Sequence, residues 1–412
     1  MTSFDTSPQL TQQLTQLNVW RALLALTVVF LMLATTGWTT VRQHREATAL
    51  QASLSAWEHG RIDGRRLPDP HTAATRLTRF FATLTPLQRT DLAQRYPLAV
   101  GNMNGAPAAL RYRANRLALH EQITVERARM RDKRLSPAGQ HEAGRRMHRF
   151  EAMSDARRQI LAFDPEGTGR AAEVFGDLDR ATRVSVVVPG VDTALLTFQR
   201  TERKYTAPVG MAEALYAAER AVRPRTRTAV IAWADYTAPA GLGIDSATAM
   251  RAEYGAVRLN ALVRALPGVA PVSLFCHSYG SVVCGIAARS LPDRVADIAV
   301  AGSPGMRAEK AEHLHTAARV WAMRDADDWV QDVPYLELGG LGHGEDPVSA
   351  GFGARVLSAR EARGHAGYFE PGTDSLRNFA GIGTGAYRSV RCADRDGGCR
   401  EGLSDTMTAG RA

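Results

Sequence analysis

The chain has 412 residues, too many for one small domain and enough for two or three units. Its 45% hydrophobic and 23% charged residues exclude a collagen, a mostly disordered chain and a polytopic membrane protein. Four cysteines exclude a disulfide scaffold, no CxxC or Cys/His cluster points to zinc, and the net charge of +9 is carried almost wholly by arginine.

After a short tail (1–18), residues 22–41 run without a charge inside a predicted transmembrane helix over 19–41. Twenty residues at helical rise span about 30 Å, the thickness of a bilayer core. Trp20 and Trp38 sit near its two ends, where aromatic rings favour the membrane interface. A buried helix and a cleaved signal peptide are the rivals. No basic cluster precedes the run and no clear A-x-A site follows it. Orientation stays open. Arg42 and Arg45 after the span place the bulk of the chain in the cytoplasm. A disulfide between Cys392 and Cys399 in the polar tail (391–412) would need an oxidising compartment instead.

Residues 42–170 hold 23 arginines and lysines against 13 acids, whereas residues 171–412 hold 27 against 28. This basic segment is rich in helix formers. Leu77, Phe80, Phe81, Leu84 and Leu87 predict an amphipathic helix ending near Pro86. Two more helices are predicted over 116–135 and 138–162, with Ser136-Pro137 between them, and a loop over 96–107. The excess charge reads as a solvated helix face, with contact to anionic lipid as the functional alternative. No nucleic-acid-binding motif accompanies it.

From residue 183 the pattern changes to β-branched apolar runs: 183–190, 227–236, 272–281, 297–305 and 318–325. Ala-rich stretches at 209–222, 246–265 and 281–290 separate them as helices. Continuous apolar strands alternating with helices predict a parallel sheet covered on both faces, an α/β domain over 171–390.

The third run carries the chemistry. VSLF leads into CHSYG (276–280), and SVVCGIAARS follows, a strand, a sharp turn and a helix with Ser278 at the tip. That is the context of a nucleophile elbow. Small residues are needed two before and two after the serine, where strand and helix pack closely. Gly280 meets this need and Cys276 does not. A serine hydroxyl needs a base, itself oriented by an acid, in the chain order Ser, acid, His. Among later histidines, His365 suits a loop after the final strand, and His343 is its rival. His277, adjacent on the elbow, points away and reads as structural. Asp328 is the favoured acid in a cluster with Asp325 and Asp327 at a strand end, and Asp346 is a weaker rival. Two backbone N–H groups should form the oxyanion hole: Tyr279, and Val191 or Asp192 in the loop PGVD.

The ordered motifs YPLAVGNMNGAPAALRYRANR (96–116), FDPEGTGRAAEVFGDLDRA (163–181), VVVPGVDT (186–193), AWADYTAP (232–239), CHSYGS (276–281), VAGSPGM (300–306), LGHGEDPVSAGFGARV (341–356) and GHAGYF (364–369) resemble an actinobacterial α/β-hydrolase family of unknown function. The elbow of that family reads GHSYGS, so Cys276 stands where the family has glycine. The resemblance covers roughly residues 90–385. It implies the α/β-hydrolase fold and a Ser/Asp/His triad at Ser278, Asp328 and His365, without defining a substrate.

The expectation is a membrane-anchored serine hydrolase acting on a small-molecule or lipid carboxylic ester, with no metal or organic cofactor and no nucleic acid. The rival is an inactive α/β-hydrolase scaffold serving as a tethered binding module, motivated by Cys276. Cysteine at that position could displace Ser278, and misplacement on the order of 1 Å can cost a hundredfold in rate.

Overall fold

The computed structural model describes residues 47–393 and 398–405. The expected tail (1–18) and membrane span (19–41) lie outside the described residues. Among the described residues no helix is long and apolar enough to cross a membrane. Residues Ala49–Ala412 form one compact unit.

Six helices come first: α1 (Ala49–Glu58), α2 (Ala74–Thr83), α3 (Pro86–Arg95), α4 (Pro97–Asn102), α5 (Ala108–Met130) and α6 (Pro137–Met153). Pro86 does not merely end α2 but opens α3. Thr85 caps that helix, its side chain accepting from the Gln88 N–H while Gln88 accepts from the Thr85 N–H. The loop expected over 96–107 holds the buried helix α4, with Pro97 at its first turn. Glycine and asparagine there serve close packing: a Cβ on Gly101 would lie 2.0 Å from Asn115 Oδ1. Trp57, Phe81, Leu92, Val100 and Ala114 make a separate apolar core for this helical layer.

Eight strands follow: β1 (Gln159–Asp164), β2 (Arg170–Gly176), β3 (Arg183–Val188), β4 (Thr228–Ala234), β5 (Val272–His277), β6 (Val295–Ala301), β7 (Arg319–Met323) and β8 (Arg355–Val356). They form one sheet in the order β1-β2-β4-β3-β5-β6-β7-β8. From β4 to β8 neighbours run parallel, whereas β1 and β2 are antiparallel additions at one edge. The expected start at residue 171 is therefore too late, because β1 takes residues assigned to the second long helix. Helix α6 stops at Met153, where Ser154 caps it and the Asp155–Arg158 turn redirects the chain.

Alternation within each strand feeds two cores, which explains why polar positions such as Ser185, Ser273 and Asp297 are few in the central runs. Val187, Phe275, Ala299 and Trp321 pack toward α7 (Pro208–Val222), α10 (Asp374–Thr384) and the α5–α6 pair. Val186, Leu274, Cys276 and Val300 pack toward α8 (Met250–Ala265) and α9 (Gly280–Ala288). Part of the arginine excess turns inward. Arg146 pairs with buried Glu126 at 2.7 Å, and Arg111 donates to the Gly101 carbonyl at 3.1 Å. Arg149 donates to the carbonyls of Leu196 and Gln199. The first two contacts tie helices of the layer to one another, and Arg149 fastens α6 to the segment after β3.

Candidate active site

Strand β5 ends at His277 and helix α9 begins at Gly280, leaving two residues for the turn. Ser278 adopts φ 54°, a left-handed conformation that a serine holds only when its surroundings impose it. Its N–H donates to the Ala301 carbonyl of β6 at 3.0 Å. Gly280 must be small: a Cβ there would lie 2.2 Å from the Val188 carbonyl oxygen.

Crowding at Cys276 does not arise in the expected form. Its side chain crosses the elbow to Cys284 on α9 and forms a disulfide, with Cα atoms 6.6 Å apart. Cys392 and Cys399 form a second disulfide, so no described cysteine is free. The chain is not a disulfide scaffold, but its cysteines are fully paired. Cys276 and Cys284 are separated by only 8 positions, and strand–turn–helix geometry brings them together.

Ser278, His365 and Asp328 meet at the C-terminal ends of the strands. Ser278 Oγ lies 2.8 Å from His365 Nε2. His365 Nδ1 lies 2.9 and 3.1 Å from the two Asp328 carboxylate oxygens. With Nδ1 donating to the carboxylate, Nε2 is left as an acceptor for the serine proton. Asp328 is fully buried and also accepts from the Val330 N–H at 2.9 Å and from the Tyr368 hydroxyl. Burial opposes its ionisation, but the hydrogen bonds from His365 and Tyr368 outweigh this and hold it below the ordinary carboxylate range. Gly302, at φ 54°, leaves the space: a Cβ would lie 2.7 Å from Asp328 Oδ2 and 3.1 Å from His365 Nδ1.

The rival residues hold other positions. Asp325 accepts from the Gly364 N–H at 2.8 Å and so ties down the turn that carries His365. Asp327 is exposed, and Asp346 pairs with Arg324 at 2.5 Å. His343 donates from Nε2 to the Ser246 carbonyl at 2.7 Å. His277 Nε2 lies 2.6 Å from the His365 carbonyl oxygen, and burial pushes its pKa down to about 3, so it stays neutral.

The loop after β3 closes over the serine. A Cβ on Gly190 would lie 2.6 Å from Ser278 Cβ and 3.1 Å from the Tyr279 nitrogen. Asp192 spends its N–H on the Pro239 carbonyl at 2.8 Å, which removes it as a donor. Among the described residues no acceptor takes the N–H of Val191 or of Tyr279. Tyr236 holds this loop by donating to the Pro189 carbonyl at 2.7 Å. Beside the serine opens a cavity of about 260 Å³ lined by Val191, Leu242, Ala247, Trp329, Val333 and His343 among others. Larger clefts of about 620 and 810 Å³ lie between the helical layer and α8, away from the serine. Among the described residues no cluster of three or more His, Cys, Asp or Glu side chains could hold a metal ion.

A family described as alpha/beta hydrolase matches residues 164–338, a stretch that contains Ser278 and Asp328 and ends before His365. The eight-stranded, mostly parallel sheet, with Ser278 on the turn after β5, agrees with that match. The chain has the α/β-hydrolase fold. Two uncharacterized Mycobacterium tuberculosis proteins, one from each of two strains, are 27% identical to this chain over 377 residues, covering 78% of it and 57% of theirs. The chain thus spans a little over half the length of these curated relatives. A dienelactone hydrolase of Anabaena variabilis is 16% identical, covering 40% of this chain and 70% of its own, with a TM-score of 0.26. A Xanthomonas campestris serine hydrolase described as lacking a lid is 15% identical, covering 42% and 74%, also with a TM-score of 0.26. Scores that low do not extend either likeness to this chain.

Sequence reasoning missed Tyr368, Tyr236, Gly302 and the Cys276–Cys284 bond. Tyr368 had a signal, since it follows His365 by three positions within GHAGYF. Tyr236 and Gly302 act on residues far away in sequence, which leaves no local pattern to read.

Proposed function

We propose that the protein is a serine hydrolase that cleaves carboxylic esters through an acyl-enzyme. The observation that carries this reading is the 2.8 Å contact of Ser278 Oγ with His365 Nε2, on a serine held at φ 54°. Ser278 attacks the ester carbonyl while His365 Nε2 takes its proton. Asp328 keeps the imidazole in the required tautomer and stabilises its charged form. The N–H groups of Tyr279 and Val191 receive the developing oxyanion. His365 returns the proton to the leaving alkoxide, and water, deprotonated by the same imidazole, releases the acid.

An active-site-directed fluorophosphonate tests this. The unaltered protein should label, while Ser278→Ala and His365→Ala should not. A folded protein that fails to label would overturn the reading.

The protein is also proposed to be anchored by residues 22–41, with the catalytic unit on the oxidising side of the membrane. Support comes from the two disulfides, since cytosolic thiols are kept reduced. This goes against the Arg42 and Arg45 charge signal. Protease added to intact cells should digest the catalytic unit, and protection of that unit would reverse the assignment.

A further inference from the structure

The mouth of the Ser278 cavity is bordered by apolar side chains left in water. Two segments supply them. Leu242 and Ile244 are 72% and 79% exposed on one, and Leu338 and Leu341 are 76% and 52% exposed on the other. Leu242 and Trp329 also line the cavity, so the exposed apolar surface runs without a break into the pocket beside the serine. Thr248 and Leu341 form an antiparallel bridge that joins the two segments. His343 reinforces the junction by donating to the Ser246 carbonyl at 2.7 Å. Leu338 and Leu341 pair across a two-residue turn made by Gly339 and Gly340, at φ 60° and 85°.

Single exposed leucines are ordinary on a protein surface, whereas a cluster at a pocket mouth marks a contact. Six of the twelve large hydrophobics exposed among the described residues lie within 242–244 and 329–341. Most of the nearby charges are neutralised in pairs, Asp245 with Arg251 at 3.0 Å and Glu337 with Arg307 at 2.6 Å, and exposed Asp332 is the acid of the second segment outside those pairs. No Asp, Glu, Lys or Arg lines the cavity itself. A protein seated on this lip would seal the mouth over Ser278. A lipid surface would instead feed it, since an alkyl chain could pass from the acyl layer to the cavity without crossing water. The uncharged segment at 22–41, proposed above as an anchor, would hold the chain at such a surface.

We propose that the lip formed by 242–248 and 329–342 seats on a lipid surface and admits the alkyl chain of an ester presented there. The substrate class is a lipid-borne acyl ester rather than a water-dispersed one. This inference rests on the ester-hydrolase reading.

The test uses the full chain. In Leu338→Ser/Leu341→Ser, turnover of monomeric p-nitrophenyl butyrate should stay within about twofold, and turnover of p-nitrophenyl palmitate in phosphatidylglycerol vesicles should fall about tenfold or more. Equal loss on both esters, or no selective loss, overturns the lip. A second arm needs no hydrolysis. In Leu338→Trp, the added emission should be quenched by vesicles of brominated phosphatidylglycerol. Emission that stays unquenched overturns the proposal, as does a blue shift that grows with protein concentration in the absence of lipid, which would mean that a second copy covers the lip. If the unaltered protein hydrolyses neither ester, the hydrolase reading fails by itself and the quenching arm still judges the surface.

Discussion

Buried carboxylates occupy both ends of the same sheet, and they are built differently. At the C-terminal ends of the strands Asp328 faces His365, a partner that can gain and lose a proton. Near the start of β6, fully buried Asp297 faces Arg319 at 2.7 Å and accepts from Trp321 Nε1 at 3.0 Å and the Tyr387 hydroxyl at 2.8 Å. Both acids are fully hydrogen-bonded. The difference lies in what stands behind the partner. Arg319 leads nowhere, whereas His365 leads to a strained serine beside an apolar cavity. Satisfaction of a buried charge marks stability, and a titratable partner on the way to a nucleophile marks chemistry.

The strongest way to break this comparison is Asp328→Asn. It should lower ester turnover by about 10⁴-fold, because the amide no longer favours the required imidazole tautomer, with little change in the urea midpoint. Tyr368→Phe removes one donor to the same carboxylate and should cost about tenfold in kcat. At the other end, Asp297→Asn should leave kcat nearly unchanged but destabilise the fold by about 3 kcal/mol in urea titration, since Arg319 loses its buried partner. A large activity loss there would erase the distinction.

The two disulfides sharpen it further. Cys284→Ala and Cys399→Ala open loops of similar length, so each should cost about 2–3 kcal/mol of stability. Only Cys284→Ala should also lower kcat, because only that bond braces the strand and helix on either side of Ser278. Steady-state kinetics on both variants decides.

The smallest effect concerns a third buried carboxyl. Glu219 on α7 bonds the Ser185 hydroxyl, and burial pushes its pKa up from 4.5 to about 7. The folded state therefore keeps a proton between those values that the unfolded chain releases. The contribution of Glu219 to stability is full below about pH 4.5 and is lost as pH rises through about 7. Glu219→Gln should flatten that fall, a change of about 1–3 kcal/mol between pH 4.5 and 8. An unchanged slope in melting temperature against pH would show that another group sets it.

Much of this was legible in the chain, for identifiable reasons. The five central strands announced themselves because sheet positions buried on both faces are mostly apolar, as Val184, Val186, Val187 and Val188 are. Ser278 was legible because an elbow is a local motif whose strand, turn and helix are contiguous. The edge strands β1 and β2 were not, because a helix-like composition up to Ala162 is overridden only by pairing of β1 with β2 and of β2 with β4. The helix α4 was hidden in a glycine-rich stretch whose Gly101 answers to contact with α5 and whose Gly105 answers to contact with α2.

The sequence by itself determined the alternating strands and helices and the nucleophile's turn, since each depends on residues within a few positions of one another, and the elbow then set the expected order of serine, acid and histidine. It favoured Asp328 as the acid over Asp325, Asp327 and the weaker rival Asp346 but placed no distances among them. Only the tertiary structure decided that Asp328 is the one against His365, that Asp192 has already spent its N–H, that Cys276 is bonded to Cys284, and that exposed leucines from two separate segments frame one pocket. Those outcomes depend on atoms brought within about 3–7 Å by the packing of distant segments, and such proximity leaves no periodic signature along the chain.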